Sequence, residues 1–150
     1  MIRKTCMLLV VALLAGCATY PDVNRQRLES LPQRYSQFDL KVAWEVRQVG
    51  NDSFVDGVVQ NIRFSYMEDI EVWVAGIDAA GKSGQGSVCY IIPSQLNLGE
   101  TAAFSVKLPV RVEPGTRLLF TYKYRGNDDG GSDGGGSGNW MQSFEAVVPG

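Results

Sequence analysis

The chain has 150 residues, with 14 lysines and arginines against 16 aspartates and glutamates, and it contains no histidine. The lack of histidine removes the commonest general base, the Ser–His and Cys–His nucleophile pairs and most zinc sites. The slightly acidic balance offers no basic stripe of the kind that binds phosphate backbones. We therefore expect neither an enzyme nor a nucleic-acid-binding protein, and we expect no cofactor.

The first 17 residues have the pattern of a bacterial secretory leader. Arg3 and Lys4 precede an apolar run over residues 6–15, which is too short to span a membrane because a spanning helix needs about 20 residues. The run ends in Leu14-Ala15-Gly16-Cys17, which resembles the bacterial lipobox, where diacylglycerol is attached to the Cys thiol before cleavage on its amino side. We predict that residues 1–16 are the signal peptide and that Cys17 is the lipidated first residue of the mature chain.

The residues after the cleavage site indicate a destination. Ala18 stands where the inner-membrane retention signal usually has Asp, so the resemblance to Gram-negative sorting signals implies the outer membrane, with the domain on the periplasmic face. Cleavage removes two of the 14 basic residues and leaves 12 against 16 acidic ones, a net charge near −4. Cys89 is then the only cysteine that is neither removed nor acylated, so no internal disulfide can form. We interpret Cys89 as a small buried residue on a strand, with a reactive free thiol as the alternative.

The mature chain is predicted to consist of a tether and one β domain. Residues 17–36 are polar and contain Pro21 and Pro32, so they are interpreted as the lipidated N terminus and a tether, with a weakly signalled helix over Val23–Leu31 that Asp22 would cap. Residues 37–150 are interpreted as the β domain.

Hydrophobicity alternates with period two in the β domain. In its first strand one set of residues is predicted to face the core and another to face solvent: Phe38, Leu40, Val42, Trp44 and Val46 inward, Asp39, Lys41, Glu45 and Arg47 outward. Further strands are predicted at Phe54–Ile62, Asp69–Ile77, Ser87–Ile92, Thr101–Leu108, Arg117–Arg125 and Trp140–Val148. About seven short strands separated by Gly, Pro and Asn turns predict an all-β sandwich, with a closed barrel as the alternative.

The middle of the chain resembles the bacterial FxLYD domain. The resemblance covers about residues 53–108, and it is carried by Gly57-Val58-Val59-Gln60-Asn61, Ile70-x-Val72-x-Val74, Asp78-x-x-Gly81-Lys82, Leu98-Gly99-Glu100 and Phe104. At the position of the motif that names the family, this chain reads Val74-Ala75-Gly76-Ile77-Asp78 and keeps only the Asp. The resemblance implies an immunoglobulin-like β-sandwich of a secreted or membrane-attached protein, with no generally assigned activity.

Several of these residues have structural interpretations that do not depend on the family. Asn61 is expected to brace a neighbouring turn through its side-chain amide, and Gly57 to allow a bulge or a close approach of strands. Asp78 and Gly81 fit a hairpin turn.

Two clusters of acidic residues are candidate sites. Glu68, Asp69 and Glu71 are interpreted as a solvated strand edge rather than as a catalytic pair. Asp128, Asp129 and Asp133 lie in a Gly/Asp-rich stretch over residues 126–139, which we interpret as a flexible hairpin loop. A calcium site formed by these three aspartates is the alternative.

Two tryptophans are candidate partner contacts. Trp73 falls on the polar face of its strand, and Trp140 begins the last strand, so both are candidates for an exposed contact patch. The alternative is that the opposite sheet or the tether covers them. The sequence therefore predicts a lipid-anchored, non-enzymatic accessory module that binds an envelope protein, with a small-ligand or calcium-binding lipoprotein as the alternative.

Overall fold

Two antiparallel sheets and one short helix make up the described part of the chain, residues 22–128 and 136–150 of a computed structural model. Helix α1 spans Val23–Ser30. The nine strands are β1 Gln33–Ser36, β2 Leu40–Val49, β3 Asp52–Asn61, β4 Tyr66–Ile77, β5 Ser87–Tyr90, β6 Gln95–Asn97, β7 Thr101–Leu108, β8 Arg117–Asn127 and β9 Ser137–Val147. The first sheet has the order β1-β2-β3-β7, and the second has the order β5-β4-β8-β9, with β6 also paired to β4.

The sandwich prediction is confirmed, because within the described residues no strand pairing joins the two sheets into a barrel. Two strands were not predicted. Strand β1 has the polar sequence Gln-Arg-Tyr-Ser and therefore shows no apolar alternation, and β6 has three residues, of which only Leu96 is buried.

The segment interpreted as a tether contributes to the fold. Asp22 caps α1 as predicted, since its carboxylate accepts a hydrogen bond from the backbone N–H of Arg25 at 3.0 Å. The apolar side of the helix packs on the outer face of the first sheet through Leu28 and Leu31, which contact Ala43 and Val58. Strand β1 follows the helix and pairs with β2, so the β domain begins before residue 37.

The predicted alternation holds along β2 but fails just before it. Leu40, Val42 and Trp44 are buried as expected. Phe38, predicted to face the core, is 48% exposed, and Asp39, predicted to face solvent, is fully buried. The physical reason is a turn in which the N–H of Gln37 donates to the carbonyl of Leu40. Residues 38 and 39 therefore precede the strand, and their side chains do not follow its inward–outward alternation.

The predicted turn and close-approach residues are confirmed. Asp78 accepts a hydrogen bond from the backbone N–H of Lys82 at 2.8 Å, and Gly81 has a φ of +80°, which favours glycine. Gly57 lies where a Cβ atom would overlap the ring of Phe104 and approach the carbonyl oxygen of Ala43 to 2.5 Å. The aromatic ring of one strand thus occupies the space that a side chain would need on the next.

We predict that Gly57→Ala lowers the free energy of unfolding by about 3 kcal/mol, because the new methyl group overpacks the core. Gly76→Ala is the matched control, since Gly76 also lies within a strand but has nothing within 4 Å of the added Cβ. Its effect should stay within about 0.5 kcal/mol. Urea denaturation of both variants measures the difference, and equal losses would contradict the packing argument.

Candidate interaction surfaces

Trp73 and Trp140, the two predicted partner contacts, lie on opposite faces of the second sheet. Trp73 pairs with Thr121 on the outer face and is half-buried there. Its indole N–H donates to Glu71 at 2.7 Å, and the ammonium group of Lys123 lies 4.9 Å from the ring centroid. The structure therefore holds Trp73 in local contacts and does not join it to Trp140 in one patch.

Trp140 belongs to a group of aromatic rings and one cation at the end of the sandwich. Its ring centroid lies 6.1 Å from that of Phe38 and 5.8 Å from that of Phe64. The guanidinium of Arg63 lies 5.2 Å from the centroids of both phenylalanine rings. Phe38 and Trp140 are 48% and 37% exposed, and Arg63 is exposed. We call Phe38, Arg63, Phe64 and Trp140 the aromatic pole.

A buried carboxylate lies directly beneath the aromatic pole. Asp39 is fully buried, and its two oxygens accept hydrogen bonds from the phenol groups of Tyr122 at 3.1 Å and Tyr124 at 2.5 Å. Burial, and then the neighbouring Asp39, raise the pKa of both tyrosines far above their ordinary value near 10. Each oxygen of the carboxylate has a donor, and both phenols stay protonated. The three side chains therefore join the two sheets rather than forming a reactive base.

Asn61 places Arg63 and Phe64 at the pole, which confirms the predicted bracing role. Its side-chain amide donates to the carbonyls of Phe64 at 2.9 Å and Leu96 at 3.0 Å. Its side-chain oxygen accepts from the backbone N–H groups of Arg63 and Phe64, both at 3.1 Å. The fully buried side chain thus ties the β3–β4 turn to β6.

Strand β9 is the second candidate surface, because it forms one edge of its sheet. Just after β9, the N–H of Val148 donates to the carbonyl of Thr116 and so points toward β8. Because backbone groups alternate in direction along an antiparallel ladder, those of residues 140, 142, 144 and 146 also point toward β8. The N–H and C=O groups of Asn139, Met141, Ser143 and Glu145 consequently point to the open edge. Among the described residues, no strand pairs with that edge.

The acidic cluster on β4 does not form a strand edge, which corrects the prediction. Strand β4 is an interior strand, between β8 on one side and β5 and β6 on the other. A bulge between Glu68 and Glu71 gives Asp69 a φ of +52°. Arg125 lies 2.9 Å from Glu68 and 3.2 Å from Asp69, so these carboxylates are paired on the outer face of the sheet.

Among the remaining predicted site residues, Cys89 packs in the structure, Asp128 is exposed, and the others lie outside the described residues. Cys89 is a half-buried free cysteine that packs against the core, as its main interpretation predicts. Of the three candidate calcium ligands, Asp128 is exposed at the end of β8, whereas Asp129 and Asp133, like Cys17, lie outside the described residues. Across residues 22–128 and 136–150, no three acidic or cysteine side chains gather in a way that could hold a metal ion. The one helix of those ranges is too short and too polar to cross a bilayer.

The aromatic pole and the open edge were not predicted from the sequence. The alternation along the first strand places Phe38 in the core, and no sequence pattern marks Arg63 as a contact residue. The burial of Asp39 could have been inferred from Tyr122 and Tyr124. Both lie on the inward face of β8, and their hydroxyl groups need a buried partner.

We predict that Asn61→Ala lowers the free energy of unfolding by about 3 kcal/mol, because it leaves buried backbone groups of the turn and of Leu96 without partners. Asn97→Ala should cost less than about 0.5 kcal/mol, since that side chain is exposed and meets only Gln95. Chemical denaturation tests both, and a small loss for Asn61→Ala would refute its bracing role.

A second prediction concerns alkaline pH. Because Tyr122 and Tyr124 ionise near pH 10 when unfolded but only at much higher pH when folded, the stability they contribute is fully present below about pH 10 and is lost as the pH rises above it. Tyr122→Phe should cost about 2 kcal/mol at neutral pH, since Asp39 loses one donor, and should make the alkaline decline shallower.

Tyr90→Phe serves as the control, since Tyr90 is 63% exposed and should change neither quantity. Urea denaturation from about pH 8 to about pH 11 makes the measurement. An alkaline decline in Tyr122→Phe as steep as that of the unaltered chain would count against the assignment.

Comparison with known proteins supports the fold and no more. No protein-family model matches the chain, and no curated protein sequence matches it. The GAE domain of GGA2p from Saccharomyces cerevisiae has a similar structure, with a TM-score of 0.50 and 11% identity over 79% of this chain and 99% of that chain. The GAE domain of yeast GGA1 gives a TM-score of 0.47 and 16% identity over 77% and 96% of the two chains. A DUF4426 family protein from Pseudomonas aeruginosa gives 0.38 and 14% over 79% and 97%.

At 11% identity, the similarity to the GAE domain of GGA2p bears on architecture alone. That similarity agrees with the two packed antiparallel sheets, so the predicted all-β, immunoglobulin-like sandwich is confirmed. The resemblance to the FxLYD domain has no family match behind it and stays a prediction.

Proposed function

We propose that this chain is a non-enzymatic protein-interaction module, held by a lipid on Cys17 at the periplasmic face of the outer membrane, that binds an extended segment of an envelope protein along β9. The lipobox Leu14-Ala15-Gly16-Cys17 and the following Ala18 support the address. The resemblance to the FxLYD domain, whose members are secreted or membrane-attached, agrees with that address.

The open edge of β9 is the observation that carries this proposal. The strand has eleven residues, of which Glu145 is the only charged one, and it contains neither Pro nor Lys. Natural edge strands are usually short or protected by such residues, because a bare edge is a template for pairing with another chain. A long unprotected edge therefore favours a strand-adding partner.

The other sheet edges are less suitable. Strands β1 and β5 have four residues each, and β6 has three. Strand β7 is longer, but it packs beside β5 at its edge of the sandwich. Only β9 combines length with a free row of backbone donors and acceptors in the described part of the chain.

The chemistry of the edge defines the partner. Main-chain hydrogen bonds to Asn139, Met141, Ser143 and Glu145 require an extended segment with free N–H and C=O groups and select little sequence. Lipid anchoring raises the local concentration of an envelope partner, so a modest intrinsic affinity suffices.

In-cell photo-crosslinking tests the proposal, with a benzophenone amino acid replacing Met141, which is 65% exposed at the open edge. We expect one discrete adduct with another envelope protein. Ser143→Pro should reduce that adduct about tenfold, because proline removes an outward N–H without touching the β8 ladder.

Ser143→Ala is the matched control, since it also loses the hydroxyl contact with Thr121 but keeps the backbone N–H, and its adduct should persist. Thermal melts confirm that both variants fold. An adduct that survives Ser143→Pro, an adduct of two copies of this chain, or no adduct at all would each overturn the proposal.

A further inference from the structure

We propose that the aromatic pole, together with Leu98, rests in the headgroup layer of the bilayer that holds Cys17, and so fixes the orientation of the domain. This inference uses the lipid anchor of the proposed function, but it does not depend on what binds β9.

Asp22, the first described residue, and the aromatic pole lie at the same end of the sandwich. The carboxylate of Asp22 accepts a hydrogen bond from the hydroxyl of Thr101 at 3.3 Å, and the guanidinium of Arg25 donates to the carbonyl of Gly99 at 3.0 Å. The N–H of Leu98 donates to the carbonyl of Ser65, which follows Arg63 and Phe64 in the same turn.

The contacts then continue across the end of the sandwich. The N–H of Ile62 donates to the carbonyl of Asp39 at 3.0 Å, which brings the turn after β3 beside Phe38. Phe38 and Arg63 in turn contact each other, and Trp140 completes the row. The helix start, the β6–β7 turn and the aromatic pole therefore form one continuous surface.

The short connection to the lipid keeps this surface near the membrane. Four residues separate Cys17 from Asp22, and five peptide units span at most about 18 Å when fully extended. The polar headgroup zone on each side of a bilayer is about 5–8 Å thick. The end of the sandwich at which Asp22 lies is therefore the end that faces the bilayer.

The side chains on that end have the chemistry of a membrane interface. Tryptophan and other amphipathic aromatics favour the headgroup level, where the ring is shielded and the polar atom stays hydrated. Phe38 is 48% exposed, Leu98 is 58% exposed and Trp140 is 37% exposed, so apolar area is available on each side of the pole.

Arg63 supplies a cation suited to lipid phosphate groups. Its guanidinium packs on two phenylalanine rings, and it makes no ion pair with the carboxylates of the described residues. Its N–H donors are thus free for phosphate oxygens. Of the acidic groups nearby, Asp22 caps α1 and Glu100 accepts from the N–H of Asn97, whereas Asp128 is exposed at the end of β8.

The opposite end of the sandwich provides a matched control. Val110 is 55% exposed there, close to the 58% of Leu98, and it follows β7 at the end where that strand pairs with Ser53. Both residues are aliphatic and their exposure in the free domain is similar, so the proposed orientation on the membrane is what should distinguish them.

Spin-label accessibility tests the inference on the full lipidated chain in vesicles of phosphatidylethanolamine and phosphatidylglycerol. A nitroxide is attached to Leu98→Cys or to Val110→Cys, each in a Cys89→Ala background. We expect the ratio of collisions with oxygen to collisions with a water-soluble nickel chelate to be several-fold higher at position 98 than at position 110. Phe38→Asp should lower the ratio at position 98, whereas Val49→Asp at the opposite end should not.

Each outcome bears on the proposal. Equal ratios at the two positions, with the protein on the vesicles, would overturn the seating of the pole and leave the lipid anchor intact. A chain that neither floats with the vesicles nor carries diacylglycerol by mass spectrometry would overturn the anchor and this inference with it. A failure of binding at the β9 edge would leave the spin-label ratios unchanged.

Discussion

The hydrogen bonds from two tyrosines to the buried Asp39 join the two sheets at the end of the sandwich that carries the aromatic pole. An unpartnered carboxylate in this position would cost several kcal/mol, because it gives up its hydration without compensation. Tyr122 and Tyr124, on one face of β8, supply one donor to each oxygen and thereby link the second sheet to the residue that precedes β2 in the first. With Asp39 held inward, Phe38 is left at the surface, and the carbonyl of Asp39 receives Ile62. The exposure of Phe38 in the aromatic pole is thus a consequence of satisfying one buried carboxylate.

The same constraint relates the pole to the open edge. Trp140 lies in both surfaces, since its ring contacts Phe38 and its backbone belongs to β9. From this residue the strand runs toward the opposite end of the sandwich, and its full length of eleven residues corresponds to about 36 Å. A domain seated on the membrane through the pole, as proposed above, would present the open edge of β9 as a line that leads away from the bilayer.

The sequence predicted the fold where a local period determines structure. Strands β7 and β8 alternate cleanly, and their inward apolar residues are buried as expected. Asp39 was misplaced because its environment is set by residues more than 80 positions away, which no local pattern reports. The bulge at Asp69 and the interior position of β4 are likewise results of strand pairing. Neither the pole nor the free edge of β9 was foreseen, since both depend on which strands end the two sheets.

The proposed seating on the membrane would also explain how so bare an edge stays available. Two copies of this chain would pair their β9 edges most simply by two-fold symmetry, with the strands antiparallel. Antiparallel pairing places the two aromatic poles at opposite ends of the joined sheet. In the proposed arrangement each pole is held near the bilayer by a connection of at most about 18 Å from Cys17, so both copies could not satisfy that pairing in one membrane. The proposed anchor and the seating of the pole would therefore together disfavour self-association and leave the backbone groups of β9 to the proposed partner in extended form.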